Sequence, residues 1–98
     1  MNTVVKAPKA PKRFRITCTK YRAGRDNSVY THEGTVEELV KVYSYTLECG
    51  ESWQHEKGNK KINRNPKNIA SLVKNIENAK NNAASNGYSG ESYTFVEL

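Results

Sequence analysis

Thr35-Val36-Glu37-Glu38-Leu39-Val40-Lys41-Val42-Tyr43-Ser44-Tyr45-Thr46-Leu47-Glu48-Cys49-Gly50 marks both the start of a helix and the side it buries. Thr35 followed three residues later by Glu38 is a capping box. The Thr hydroxyl accepts the backbone N–H of the third helical residue, whose carboxylate reaches back to the N–H of Thr35. Two glutamates in the first turn also sit well against the positive end of the helix dipole. Val36, Leu39, Val40, Tyr43 and Leu47 recur at intervals of three and four, which gathers them into one apolar stripe. Gly50 stands where a left-handed residue would end such a helix. One helix over about 36–49 is therefore expected.

Upstream the period changes from helical to alternating. From Arg13 to Arg22, Phe14, Ile16 and Cys18 fall on one face and Arg13, Arg15, Thr17, Thr19 and Tyr21 on the other, as in a half-buried strand. Ala23-Gly24-Arg25-Asp26-Asn27 has turn chemistry, and Ser28 to Glu33 reads as a second strand in a hairpin with the first. Downstream, residues 51–64 have no period and form a long loop containing Trp53, the only tryptophan. Asn65-Pro66 then resembles a cap and first helical residue, opening a second helix with Ile69, Leu72, Val73, Ile76, Ala79 and Ala83 as its stripe. Lys67, Asn68, Lys74, Asn75, Asn78, Asn81 and Asn82 fall on its other face, and Ser85-Asn86-Gly87 ends it. Glu91 to Leu98 alternates once more and makes a third strand.

The order is thus β-β-α-α-β. The expected fold is α+β, a three-stranded antiparallel sheet with two helices packed on one face and the last strand beside the first. Residues 1–12, with Ala7-Pro8-Lys9-Ala10-Pro11-Lys12, read as a flexible basic Lys/Pro arm, and residues 13–98 as a single domain. A chain of 98 residues buries roughly 65% of its unfolded surface, too little for a deep enzymatic cleft.

Charge is blocked along the chain. The first 25 residues hold eight Lys or Arg and no acid; residues 26–56 carry a net −6, residues 57–80 a net +6, and the last eighteen −2. Two readings follow. The basic blocks engage a polyanion, or the acidic and basic blocks neutralise one another within the fold or across a homo-oligomer, for which a symmetric dimer or larger ring is suited. No run approaches the length of a membrane span, and the N-terminus lacks the apolar stretch of a secretory signal, so a cytoplasmic protein is expected. Cys18 and Cys49 are then read as small reduced residues rather than a disulfide.

Catalytic chemistry finds little support. Cys18, His32, Cys49 and His55 contain no close ligand pair of the kind structural zinc sites use. Nothing in the spacing of Cys49 and His55 aligns an imidazole with the sulfur, and the glycines form no phosphate loop. A non-enzymatic protein without a cofactor or metal is expected. Phosphate binding has more in its favour. Arg13, Arg15, Lys20, Arg22 and Arg25 lie on and beside the first strand, and Lys57, Lys60, Lys61, Arg64 and Lys67 precede the second helix. Trp53, Tyr21, Tyr30 and Tyr88 are available to stack on bases.

The basic tail, the Thr-Val-Glu-Glu-Leu helix start and the Asn-rich Lys-Asn-Ile-Ala-Ser-Leu-Val-Lys-Asn-Ile segment resemble the small accessory proteins of tailed bacteriophages, over about residues 30–98. That resemblance implies a host-takeover or counter-defence factor working in the host cytoplasm. Two functions stay open. One is a binding protein for nucleic acid or a nucleotide signal, with Arg13, Arg15, Lys20, Arg22, Arg25, Trp53, Lys57, Lys60, Lys61, Arg64 and Lys67 as ligand residues. The other is a small inhibitor that docks on a host or defence protein complex.

Overall fold

The computed structural model describes residues 11–20, 27–83 and 91–98. The elements run β1 (Phe14–Lys20), β2 (Ser28–Gly34), α1 (Val36–Val42), α2 (Ser44–Ser52), α3 (Ile69–Ala83) and β3 (Glu91–Glu97). The strands form one antiparallel sheet in the order β2-β1-β3, so the first and last strands are neighbours as expected. Thr17 is paired with Thr31 on one side and Thr94 on the other, and Ile16 with His32 and Phe95. The Leu98 N–H to Arg13 carbonyl bond, 2.8 Å, carries the β1–β3 ladder one step past the strand ends. Most of the arm expected at 1–12, the turn at 23–27, the ending at 85–87, and Tyr21, Arg22, Arg25 and Tyr88 lie outside the described residues, though Pro11, Lys12 and Asn27 are within them.

The alternation in β1 sends Ile16 and Cys18 into the core, where they join Tyr93 of β3 and Leu39, Tyr43, Leu47, Leu72, Val73, Ile76 and Ala79 of the helices. Phe14, Val36 and Val40 close the edge of this cluster, half-buried. The capping box forms as the sequence indicates: Thr35 Oγ1 accepts from Glu38 N–H at 3.2 Å and Glu38 Oε1 from Thr35 N–H at 3.0 Å.

Three expectations about the helices need correction. The single helix over 36–49 is divided at Tyr43, whose φ of −97° and ψ of 10° leave the helical region. Val42-Tyr43-Ser44-Tyr45-Thr46 is a run of weak helix formers, so a break costs little there. The Tyr43 ring stays buried, edge-on to His32 at 5.3 Å and to Tyr93 at 6.3 Å between centroids. Bonds from Tyr43 N–H to Leu39 and from Leu47 N–H to the Tyr43 carbonyl, each 3.0 Å, carry the helical pattern across the break.

Gly50 does not end the helix. It is buried inside α2, which continues to Ser52, and a Cβ at Gly50 would lie 2.3 Å from Ala79 Cα. The glycine lets α2 and α3 touch backbone to backbone. Among the described residues the left-handed glycine is Gly58, φ 87°, in the turns that follow. Finally, α3 starts at Ile69, with Asn68 as its cap: Asn68 Oδ1 accepts from Ser71 N–H at 2.8 Å and its carbonyl from Leu72 N–H at 3.0 Å. Asn65 instead donates its N–H to Asn63 Oδ1 at 2.9 Å in a local turn. The cap thus lies three residues later than expected, and the buried Pro66 belongs to the approach rather than the helix.

Candidate phosphate-binding surface

The described cations of β1 and its approach are neutralised, half of them by the acidic block and half by β3. Arg15 Nε meets Glu33 on the neighbouring strand at 2.7 Å, Arg13 reaches Glu38 on α1 at 3.3 Å, and Lys12 reaches Glu97 at 3.3 Å. Glu38 is held ionised below the ordinary carboxylate range first by its two Thr35 hydrogen bonds and then by Arg13 and Lys41. Lys20 is on the opposite face of the sheet from Arg15. There it lies over the Tyr30 ring, 5.4 Å from the centroid, and shares Glu91 with Lys80 at 3.8 and 3.6 Å. The Glu91 side chain is 7% exposed and also accepts the Tyr93 hydroxyl at 2.6 Å, so this end of the sheet is a satisfied polar cluster. Burial and that bond to Glu91 push the Tyr93 phenol upward; burial first, then Cys18 and Glu91, push Tyr43 up to about 12. Among the expected ligand residues of the first block, Arg13, Arg15 and Lys20 therefore do not form one wall.

The second basic block is built differently. The connection from α2 to α3 folds back on itself, with Asn59 Nδ2 donating to the Trp53 carbonyl at 2.6 Å and Ile62 N–H to Gln54 Oε1 at 3.1 Å. Side-chain amides of α3 then hold its extended part. Asn82 Oδ1 accepts Lys60 N–H at 2.9 Å while its Nδ2 donates to the Lys60 carbonyl at 2.6 Å and the Gly50 carbonyl at 3.2 Å. In doing so Asn82 pairs with Lys60 as a neighbouring strand would. Asn75 adds a further anchor by accepting Asn63 N–H at 2.8 Å. Asn82 is 6% exposed and Asn75 half-buried, whereas Ala83, expected in the stripe, is exposed. The asparagines assigned to the solvent face thus include the two that position the basic loop.

Lys57, Lys60, Lys61 and Lys67 are exposed, and none has an acid within ion-pair distance among the described residues. Arg64 is the exception, paired with Glu51 at 3.3 Å beside Lys61. Trp53 caps α2 at the root of the same loop and is 51% exposed. Trp53, Lys57, Lys60, Lys61 and Lys67 are thus carried on one connection, whereas Arg13, Arg15 and Lys20 belong to β1 and its approach. Lys74, exposed on α3, is a further cation without an ion pair among the described residues, but it lines a different hollow, with Val73, Glu77 and Tyr93.

The remaining chemistry is sparse. Cys18 and Cys49 are free thiols, the first buried and the second half-buried beside Tyr45. Among the described residues no group of three or more His, Cys, Asp or Glu is placed to hold a metal ion, and no helix is long and apolar enough to cross a membrane. The chain matches no protein-family model, no curated protein and no solved structure.

Proposed function

We propose that the protein is a non-enzymatic binding module for phosphate-rich ligands, with nucleic acid as the ligand of the α2–α3 loop. The observation that carries this reading is the contrast in charge pairing: the loop presents four lysines with no acid partner among the described residues, and its backbone at Lys60, Ile62 and Asn63 is held by side-chain amides. Fixed cations attract a polyphosphate without the ordering cost of a mobile loop, and Trp53 supplies a stacking surface at the same place. In the setting that the resemblance to phage accessory proteins implies, such a module would coat or sequester nucleic acid of the host cell.

The test is titration of a single-stranded oligonucleotide at rising salt. Contacts from four lysines correspond to a slope of about −3 in log affinity against log salt, at roughly 0.7 per phosphate. A slope near zero would sink the proposal.

A second reading, docking on a host or defence protein, is favoured by the open face of the sheet. Val29 and Val96 are 60% and 53% exposed there, flanking the Thr31-Thr17-Thr94 row. Recovery of one stoichiometric protein after nuclease treatment, lost when Val29 and Val96 are both changed to Lys, would support that reading; recovery unaffected by the change would remove it.

A further inference from the structure

A groove of about 770 Å³ opens where the start of β1, α1 and the approach to α3 meet. Its apolar wall comes from Phe14, Val36, Val40, Pro66 and Ile69, and three lysines stand on it from three different elements: Lys12 before β1, Lys41 on α1 and Lys67 before α3. Glu37 is the one acid among the lining residues. Lys12 is shared with Glu97 and Lys41 contributes to holding Glu38 ionised, while Lys67 has no acid partner among the described residues. The helix that begins here, α3, also has no acid in its first turn, unlike α1. The groove therefore couples an apolar floor to a positive rim.

The size and the charge together define the occupant. Small-molecule sites run to about 300–1,000 Å³, whereas a protein partner engages roughly 20–30 residues a side, more than line this groove. The chain's own preceding segment has the wrong sign, since Lys6 and Lys9 follow Lys12 toward the N-terminus. A flat apolar group carrying phosphate fits both halves. Asn65, an exposed residue of the groove lining, adds a paired donor and acceptor of the kind that reads the edge of a base.

We propose that this groove is a nucleotide site, with the base against Phe14, Val40 and Ile69 and the phosphates at Lys67, Lys41 and Lys12. The proposal rests on the reading of the protein as a binder of phosphate-rich ligands. It adds a second site that meets the α2–α3 loop at Lys67: one takes a mononucleotide and the other a polymer.

The experiment uses ADP as probe, with adenosine and inorganic pyrophosphate as the two half-ligands, measured by calorimetry on the full chain. ADP is expected to bind at least about tenfold more tightly than either half. Lys67→Glu should weaken ADP by about tenfold or more, and Val40→Trp, which fills the groove, should abolish binding. Because Val40 is half-buried, Val40→Trp counts only if circular dichroism shows the native fold; Lys67 is exposed and its variant carries the test regardless. The double change Lys60→Glu with Lys61→Glu should leave ADP affinity within about twofold while weakening the oligonucleotide. ADP that fails to bind, or binds equally to the Lys67→Glu protein, overturns the groove, and so does an acidic peptide that binds there where ADP does not. If the oligonucleotide binds with its salt slope and ADP does not, the groove falls alone; if ADP binds and the oligonucleotide does not, the loop assignment falls alone.

Discussion

Two basic blocks of similar charge density come to opposite ends in this molecule. On and beside β1, Arg13 and Arg15 are answered by glutamates of α1 and β2, and Lys20 is drawn to the buried Glu91. In the α2–α3 loop, Lys57, Lys60 and Lys61 have no such answer among the described residues, and the backbone at Lys60 and Ile62 is secured by neutral amides instead. The difference is one of what holds the chain. Strand β1 is fixed by its ladders to both neighbours, so its outward cations are close enough to the adjoining elements for acids to reach them. The loop has no ladder, and Asn82, Asn75 and Gln54 supply the missing hydrogen bonds without spending its charge. Positive charge counted along a sequence is therefore a poor guide to positive potential on a surface.

Removing the amide clamp should have the largest effect. Asn82→Ala leaves the N–H and carbonyl of Lys60 and the carbonyl of Gly50 without their partner. At about 1–3 kcal/mol for a buried polar group left unmade, with water recovering part of it, a loss of about 3 kcal/mol of stability is expected. Urea unfolding would measure it. Amide exchange should also quicken at Lys60 and Ile62 in the variant beyond the global change, because the loop opens locally. Unchanged stability would mean that the loop is held by something other than Asn82.

That clamp also marks the boundary of what the sequence makes legible. The three strands, their order, the capping box at Thr35–Glu38 and most of the apolar stripes follow from periodicity, because period two and period 3.6 are backbone geometry that local residues must obey. Gly50 and Asn82 are misread for one shared reason. Each has a local role by default, a helix end for glycine and a solvated face for asparagine, and each is overruled by a residue distant in sequence: Ala79 against Gly50, and Lys60 against Asn82. The break at Tyr43 is of the same kind, since the ring is placed by His32 and Tyr93. For the candidate surface, the residue types in 57–67 were readable. The pairing of Arg13, Arg15 and Arg64 was not, because a glutamate's partner is set by tertiary contact.

The charges themselves give the next test. Reversal of Lys60 and Lys61 to Glu should lower oligonucleotide affinity by roughly tenfold or more and reduce the salt slope by about 1.4, the share of two phosphate contacts. Arg13→Gln with Arg15→Gln should change affinity by less than about threefold, since exposed, paired cations add little to the field. Equal losses from the two pairs of substitutions would erase the distinction between the blocks, and a larger loss from the arginines would reverse it.

The smallest effect tests the neutralised block from the acid side. Glu38 is ionised below the usual carboxylate range, first through the hydrogen bonds of Thr35 and then through Arg13. A carboxylate whose folded value lies below its unfolded one contributes stability that is present above the unfolded value of 4.5 and is lost as pH falls through the lower folded value. Carbon-detected NMR titration of the Glu38 carboxyl should place its midpoint below 4.5 in the native protein. Thr35→Ala, which removes the capping hydroxyl, and Arg13→Gln should each move it upward, with the former moving it further because hydrogen bonds to the ionised form outweigh an exposed ion pair screened by water. If Arg13→Gln moved the midpoint further than Thr35→Ala, the ion pair and not the helix cap would be what binds the first basic block to the acidic one. The neutralisation of β1 would then be a primary constraint on the fold, and not a by-product of a glutamate already committed to starting α1.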